Sequence, residues 1–215
     1  MVFDTSKPPD SANSGKCDKC RLPVRFCFCN ELSTITLKHK VSIIMHHREF
    51  HLTSNTGNLA KLTIPQTNIH LRGLLGRPLQ PQDIFLAGHT PLFLFPCEDA
   101  LPLNQDLLPQ FPGPLQLIVP DGSWRQASKF KKREDFLKNI LAVKLDVTAP
   151  GRYFVRTTPH QEKLSTYEAM AYALLVLEGK ENGPSIFAAM MRNFEAMVKA
   201  NLKARAIFHH FKNEY

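Results

Sequence analysis

The chain has 215 residues, 43% of them apolar and 21% charged, with 27 Lys and Arg against 19 Asp and Glu. This composition excludes a disordered chain, and no apolar run approaches the ~20 residues a membrane-crossing helix needs. The formal charge of +8 favours polyanionic partners such as nucleic acid.

Residues 1–16 are polar and carry no apolar run that could act as a signal peptide, so a mobile tail and a cytoplasmic location are expected. Cysteines stay reduced there, and five of them need a purpose other than disulfides. Cys17, Cys20, Cys27 and Cys29 fall within 13 residues as C-x2-C-x6-C-x-C. Two close thiol pairs on turns can wrap one Zn2+, and Lys16, Lys19, Arg21 and Arg25 around them favour thiolates. Residues 17–36 are therefore expected to form a small zinc-binding segment. A closed four-thiolate site leaves no open position for catalysis and reads as a staple or a nucleic-acid contact; unrelated free thiols are the alternative. Cys97 stands apart and reads as a small buried or loop thiol.

Residues 37–215 are expected to form one α/β domain. Val41–Met45, Ile84–Ala87, Leu92–Phe95, Leu115–Val119 and Ile140–Leu145 are continuously apolar, the pattern of parallel strands buried on both faces. Helices are expected from Gly57 onward, over Ser123–Asn139, over Tyr167–Glu178, and over Ser185–Lys212 with Pro184 at its start. Pro96 to Pro114 holds five prolines in 19 residues, which predicts a long irregular loop. The apolar stripe of Ser185–Lys212 can face the sheet or a second copy of the chain, which leaves a homodimer open.

Ligands of parallel α/β sheets sit beyond the carboxyl ends of the strands. Four segments hold that position: His46–Glu49 with Thr53–Ala60, Pro96, Pro120–Ala127, and Gly151–Tyr153 through Leu164–Ala169. Each has a plain structural reading. Asp121-Gly122 suits a turn, Ser123 a helix start, and Ser165-x2-Glu168 a capping box. No phosphate loop, G-x-G-x-x-G, G-x-S-x-G or H-E-x-x-H is present.

Pro120–Ala127 (PDGSWRQA) resembles the Asp-x-Thr-Trp signature of the DTW-domain family, whose bacterial members are tRNA-uridine aminocarboxypropyltransferases. The cysteine cluster, His46-x2-Glu49, Ser54-Asn55-Thr56-Gly57, Phe95-Pro96, Arg156 and Leu164-Ser165-Thr166-x-Glu168-Ala169 are similar to further family blocks in the same order. The chain departs from the family at Ser123 (usually Thr), His47 (usually Pro), and Leu52 and Asn58 (often Arg).

The resemblance implies a SPOUT-like, mostly parallel sheet with a C-terminal trefoil knot. Its loops would hold S-adenosyl-L-methionine through Pro96, Asp121, Gly122, Ser123, Trp124, Gln126, Leu164, Ser165, Thr166 and Glu168. It also implies transfer of the 3-amino-3-carboxypropyl group to a uridine ring nitrogen of tRNA. Asp121 is then the candidate general base, and His46, Glu49, Asn55, Thr56, Trp124, Arg125, Lys129 and Arg156 are candidate contacts to the RNA. Residues 121–144 carry a net +4 and residues 184–215 a net +3, so the basic charge borders these loops. Three alternatives stay open: a non-catalytic zinc-containing RNA-binding module, an rRNA-modifying relative, and a methyl-transferring enzyme of the knotted class.

Overall fold

The computed structural model describes residues 15–111, 113–146 and 164–212. Six strands form one parallel sheet in the order β2-β1-β5-β3-β6-β4. They are β1 (Lys40–His46), β2 (Asn68–Arg72), β3 (Thr90–Leu94), β4 (Leu101–Pro102), β5 (Leu115–Asp121) and β6 (Leu141–Lys144). The helices are α1 (Thr56–Thr63), α2 (Pro81–Ile84), α3 (Trp124–Ala127), α4 (Phe130–Arg133), α5 (Asp135–Lys138), α6 (Thr166–Leu177) and α7 (Gly179–Lys212).

The continuous apolar runs have the meaning expected of them, because each central strand feeds two cores. Val41, Ile43, Met45, Leu117 and Val119 join Leu59, Tyr167, Met170 and Phe194 of α1, α6 and α7. Ile44, Phe93, Ile118 and Ala142, one residue out of phase, join Ile84, Phe130 and Leu137 on the other face. Cys20, Leu22, Phe28, Ile35 and Leu37 belong to the first core, so the cysteine segment packs on the same face as α1, α6 and α7. Much of the apolar stripe of α7 is buried within the chain, at Met190, Phe194 and Met197, while Leu202 is exposed. No helix among the described residues is long and apolar enough to cross a membrane.

Three expectations need correction, and one strand is unexpected. Ile84–Ala87 is not a strand: Pro81–Ile84 is a helical turn, and the following backbone is satisfied by a side chain from the sheet. Gln116 of β5 donates to the Ile84 carbonyl (2.6 Å) and accepts from the Leu86 N–H (3.0 Å). In its place β2 pairs only with β1, and its polar Asn68, His70 and Arg72 hide an edge strand from an apolar-run criterion. Ser123–Asn139 breaks into α3, α4 and α5. Glu134 between α4 and α5 is extended and pairs with Arg72 of β2 at 2.6 Å, while like charges crowd Lys131–Arg133. The last helix begins at Gly179, so Pro184 lies inside it. The proline-rich loop is irregular as expected, apart from two-residue β4 and a short 3-10 turn at Leu108–Gln110.

At the amino end of the sheet a buried clasp joins β1, β5 and α6. Glu178, the C-cap of α6, accepts from the N–H groups of Lys38 (3.0 Å) and His39 (3.1 Å). His39 donates to the Leu177 carbonyl (3.0 Å) and accepts from the Leu115 N–H (3.0 Å). Burial holds the His39 pKa below its ordinary value, against the raising influence of Glu178. The folded state thus favours neutral imidazole, whose stabilisation is present above the unperturbed pKa and lost as pH falls. Burial pushes His46 and His70 in the same direction. Thermal melts between about pH 7 and pH 5 should show stability falling with acidity, and His39→Gln should flatten part of that slope.

The corner between α6 and α7 depends on a missing side chain. A Cβ at Gly183 would lie 2.2 Å from the backbone oxygen of Leu175. Gly183→Ala forces the two helices apart and should cost about 2 kcal/mol or more, read as a fall of at least about 4 °C in the melting midpoint.

Candidate active site and cysteine cluster

Strand β5 ends in Asp121, which continues the alternation Leu117, Val119 and so lies on the face covered by α1 and α6. Its carboxylate is 3% exposed and is gripped from both helices. Asn55, the N-cap of α1, donates from Nδ2 to Oδ2 at 2.6 Å, while its own Oδ1 accepts the Asn58 N–H at 2.8 Å. Thr166, the first residue of α6, donates from its hydroxyl to Oδ1. The positive ends of two helices thus meet one buried carboxylate and favour its charged form. Close approach is needed, and Gly57 permits it: a Cβ there would stand 3.1 Å from the Asp121 carboxylate and 3.0 Å from Met45. Thr56 accepts from the Tyr167 N–H at 3.4 Å, and Thr63 meets the Tyr167 hydroxyl at 2.8 Å, seaming α1 to α6. Burial pushes the Tyr167 pKa up to about 12, so the hydroxyl stays protonated.

The other candidate residues fall around this centre. His46 ends β1 beside Gly122, and burial with the neighbouring His47, Arg48 and Arg72 lowers its pKa, so the ring is neutral. Its Nδ1 accepts the Arg48 N–H (3.3 Å), which leaves the proton on Nε2 as a donor. Glu49 sits on the 3-10 turn His47–Glu49 that follows β1. Trp124 is 37% exposed and tilts against Phe95 with ring centres 5.5 Å apart, bringing the loop at exposed Pro96 to the loop at Asp121. Arg125 is exposed and Lys129 half-buried on the same flank. Gln126 and Ser123 form a complete capping box on α3, and Ser165 and Glu168 another on α6. The side chains of those four are engaged in holding helix starts, with Leu164 half-buried just ahead of the second. Arg156 lies outside the described residues. Sequence reasoning assigned no role to Gly57, whose small size is legible only once α1 is seen against β5.

The cysteines converge as well. One ligand atom from each of Cys17, Cys20, Cys27 and Cys29 lies within 4.8 Å of every other, and the Cys17 and Cys29 sulfurs are 3.8 Å apart. Zinc–sulfur bonds of about 2.3 Å in a tetrahedron put sulfurs about 3.8 Å apart, so the donor set fits a four-thiolate metal. The thiols also show what a cation would relieve. Burial and the neighbouring sulfurs hold Cys29 far above the usual thiol range, and burial raises Cys20 to about 11. At Cys17 burial is outweighed by the Cys20 and Lys19 backbone and the adjacent thiols, giving about 7.

Asn55→Asp separates capping from carboxylate binding. It keeps an N-cap oxygen but sets a second carboxylate against Asp121. The variant should lose about 2 kcal/mol or more at neutral pH, and the deficit should shrink as pH falls toward the carboxylate range, because the folded state then binds the extra proton. Urea titrations at the two pH values measure it.

Residues 14–202 match the DTW domain. A tRNA-uridine aminocarboxypropyltransferase 2 from Drosophila melanogaster is 28% identical over 99% of this chain and 84% of its own length. The protein of that name from Macaca fascicularis is 25% identical over 87% of this chain and 64% of its own length. A tRNA-uridine aminocarboxypropyltransferase A from Arabidopsis thaliana is 26% identical over 87% and 81%. No solved structure matches the chain. The match spans the cysteine cluster, Asn55, Asp121 and Thr166 together, and the chain belongs to the DTW domain family.

Proposed function

We propose that this chain is a tRNA-uridine aminocarboxypropyltransferase, which moves the 3-amino-3-carboxypropyl group from S-adenosyl-L-methionine to a uridine ring nitrogen of tRNA. The observation that carries the reading is the buried carboxylate of Asp121, held by Asn55 and Thr166 at the mouth of a parallel sheet. The names of the relatives in fly, macaque and plant support the same reaction.

The uridine nitrogen attacks the carbon next to sulfur in the aminocarboxypropyl arm. The carbon–sulfur bond breaks, its electron pair neutralises the sulfonium, and methylthioadenosine leaves. Three carbons on that sulfur are open to attack, so the site must select by orientation, an effect worth ~7–11 kcal/mol when the approach is in line. Asp121 takes the ring proton. Asn55 and Thr166 occupy one lone pair on each of its oxygens and keep it ionised and fixed. The neutral His46 offers its Nε2–H to a uracil carbonyl, and the exposed indole of Trp124 gives the base a face to stack on. Arg125, Lys129, Lys132 and Arg133, with no ion pair among the described residues, meet tRNA phosphates.

Zinc is the metal that suits four thiolates, and it would act as a structural staple with no open position. Reduced thiols fit the cytoplasm. The placement of β5 between β1 and β3, with α6 packed against it, supports the SPOUT-like reading of the sheet.

Incubation with S-adenosyl-L-methionine and bulk tRNA should release methylthioadenosine. S-adenosylhomocysteine would instead mark methyl transfer, and neither product would mark a binding module. Asp121→Asn, which opposes an amide to its two donors, should lower kcat by about 10²-fold or more while S-adenosyl-L-methionine affinity stays within a few-fold.

A further inference from the structure

The cysteine cluster and the carboxylate of Asp121 are joined by a continuous run of contacts that the transfer reaction does not by itself require. It begins at Arg21, directly after Cys20, whose φ of 62° lies in the left-handed region that side chains other than glycine seldom adopt. The turn of the first thiol pair imposes this conformation. The Arg21 N–H donates to the Cys17 carbonyl at 2.7 Å, and the Cys17 N–H donates to the Leu22 carbonyl at 2.8 Å.

From that turn the guanidinium reaches a residue 29 positions away. It lies 4.6 Å over the Phe50 ring, and its Nη1 donates to the Phe50 carbonyl. The same carbonyl accepts from Asn58 Nδ2 at 2.9 Å. Asn58 in turn gives its N–H to Asn55 Oδ1 at 2.8 Å, and Asn55 Nδ2 holds Asp121 at 2.6 Å. The segment between is otherwise held mostly by its own turns. The Leu52 N–H donates to the Glu49 carbonyl (3.1 Å) and the Asn55 N–H to the Leu52 carbonyl (3.0 Å). Ser54 is buried, His51 and Leu52 are exposed, and Thr53 lies 3.4 Å from Asn201. Arg21 is the tie that comes from the cysteine segment.

We infer that Arg21 is a positioning residue for the transfer reaction, a latch through which the four-cysteine knuckle fixes the segment Phe50–Asn58 and thereby the Asn55–Asp121 contact. This rests on the proposed activity for its catalytic consequence and on the geometry alone for the mechanical link. A planar guanidinium suits the task, since it can stack on the ring and donate in its own plane to the carbonyl at once. The cluster's contribution is then orientation at a distance, compatible with a closed site that binds no substrate.

The test compares wild type, Arg21→Ala and Arg21→Lys as full chains purified with their zinc. Both variants should hold as much zinc as wild type by elemental analysis. Arg21→Ala should lose about tenfold in kcat for methylthioadenosine release, with KM for S-adenosyl-L-methionine unchanged. Arg21→Lys, which keeps the charge and one donor, should recover part of that loss. Amide exchange at Leu52, Asn55 and Asn58 should speed up about tenfold in Arg21→Ala, and equally in wild type stripped of metal by a chelator. Because one latch carries both effects, chelation should slow Arg21→Ala little further. Unchanged exchange at those amides, losses that simply multiply, or zinc lost from Arg21→Ala would each overturn the assignment. A wild-type chain that releases no methylthioadenosine overturns the transfer reading instead, while the exchange rates still decide the link.

Discussion

A carboxylate at the end of an interior strand is the constraint around which this molecule is arranged. Asp121 is 3% exposed, and an ion so far from water costs several kcal/mol unless it is paired or fully hydrogen-bonded. Its donors come from two helices far apart in sequence, Asn55 before α1 and Thr166 at the head of α6. Each hydrogen bond to a charged group is worth roughly 1.5–3 kcal/mol, and removing either donor exposes the cost of the other's loss. Gly57 is bare because anything larger would part helix from carboxylate. The same contacts that neutralise a folding liability therefore also fix the orientation of the carboxylate at the strand end.

Much of this could be read from the residues. Continuous apolar runs gave four of the six strands, since a strand buried on both faces has no polar phase to hide it. What escaped was governed by partners remote in sequence. Strand β2 reads as polar because it has only one neighbour. Ile84–Ala87 is apolar like a strand, yet Gln116 across the sheet supplies the hydrogen bonds a neighbouring strand would have given. Glu134 interrupts a helical pattern to reach Arg72. At the site, Asn55, Asp121 and Thr166 stood in three separate motifs, and nothing local says that they touch. The plain reading of Ser123, Gln126, Ser165 and Glu168 as caps is what their side chains do.

Charge is similarly redistributed by the fold. Of the basic run after Trp124, Lys131 pairs with Asp99 and Lys138 with Asp135. These surface pairings leave Arg125, Lys129, Lys132 and Arg133 as the cations without an ion pair, among the described residues, on the flank of the Asp121 loop. A net +8 spread evenly would attract any polyanion; a one-sided excess beside an exposed indole orients the polyanion as well.

The position of β5 has a consequence for how the chain acquires its shape. Strands β1 and β3 are made first but do not touch each other; the gap between them is filled only by residues 115–121. Such a sheet cannot grow hairpin by hairpin, and its central pairings span long stretches of sequence, which slows closure. During synthesis the middle of the sheet stays unsatisfied until β5 emerges, and its terminal carboxylate stays half-gripped until residue 166 follows. Closure of the contacts around Asp121 is thus one of the last events of folding, and a chain cut short of α6 could pair β5 in the sheet but would leave its carboxylate without the Thr166 donor.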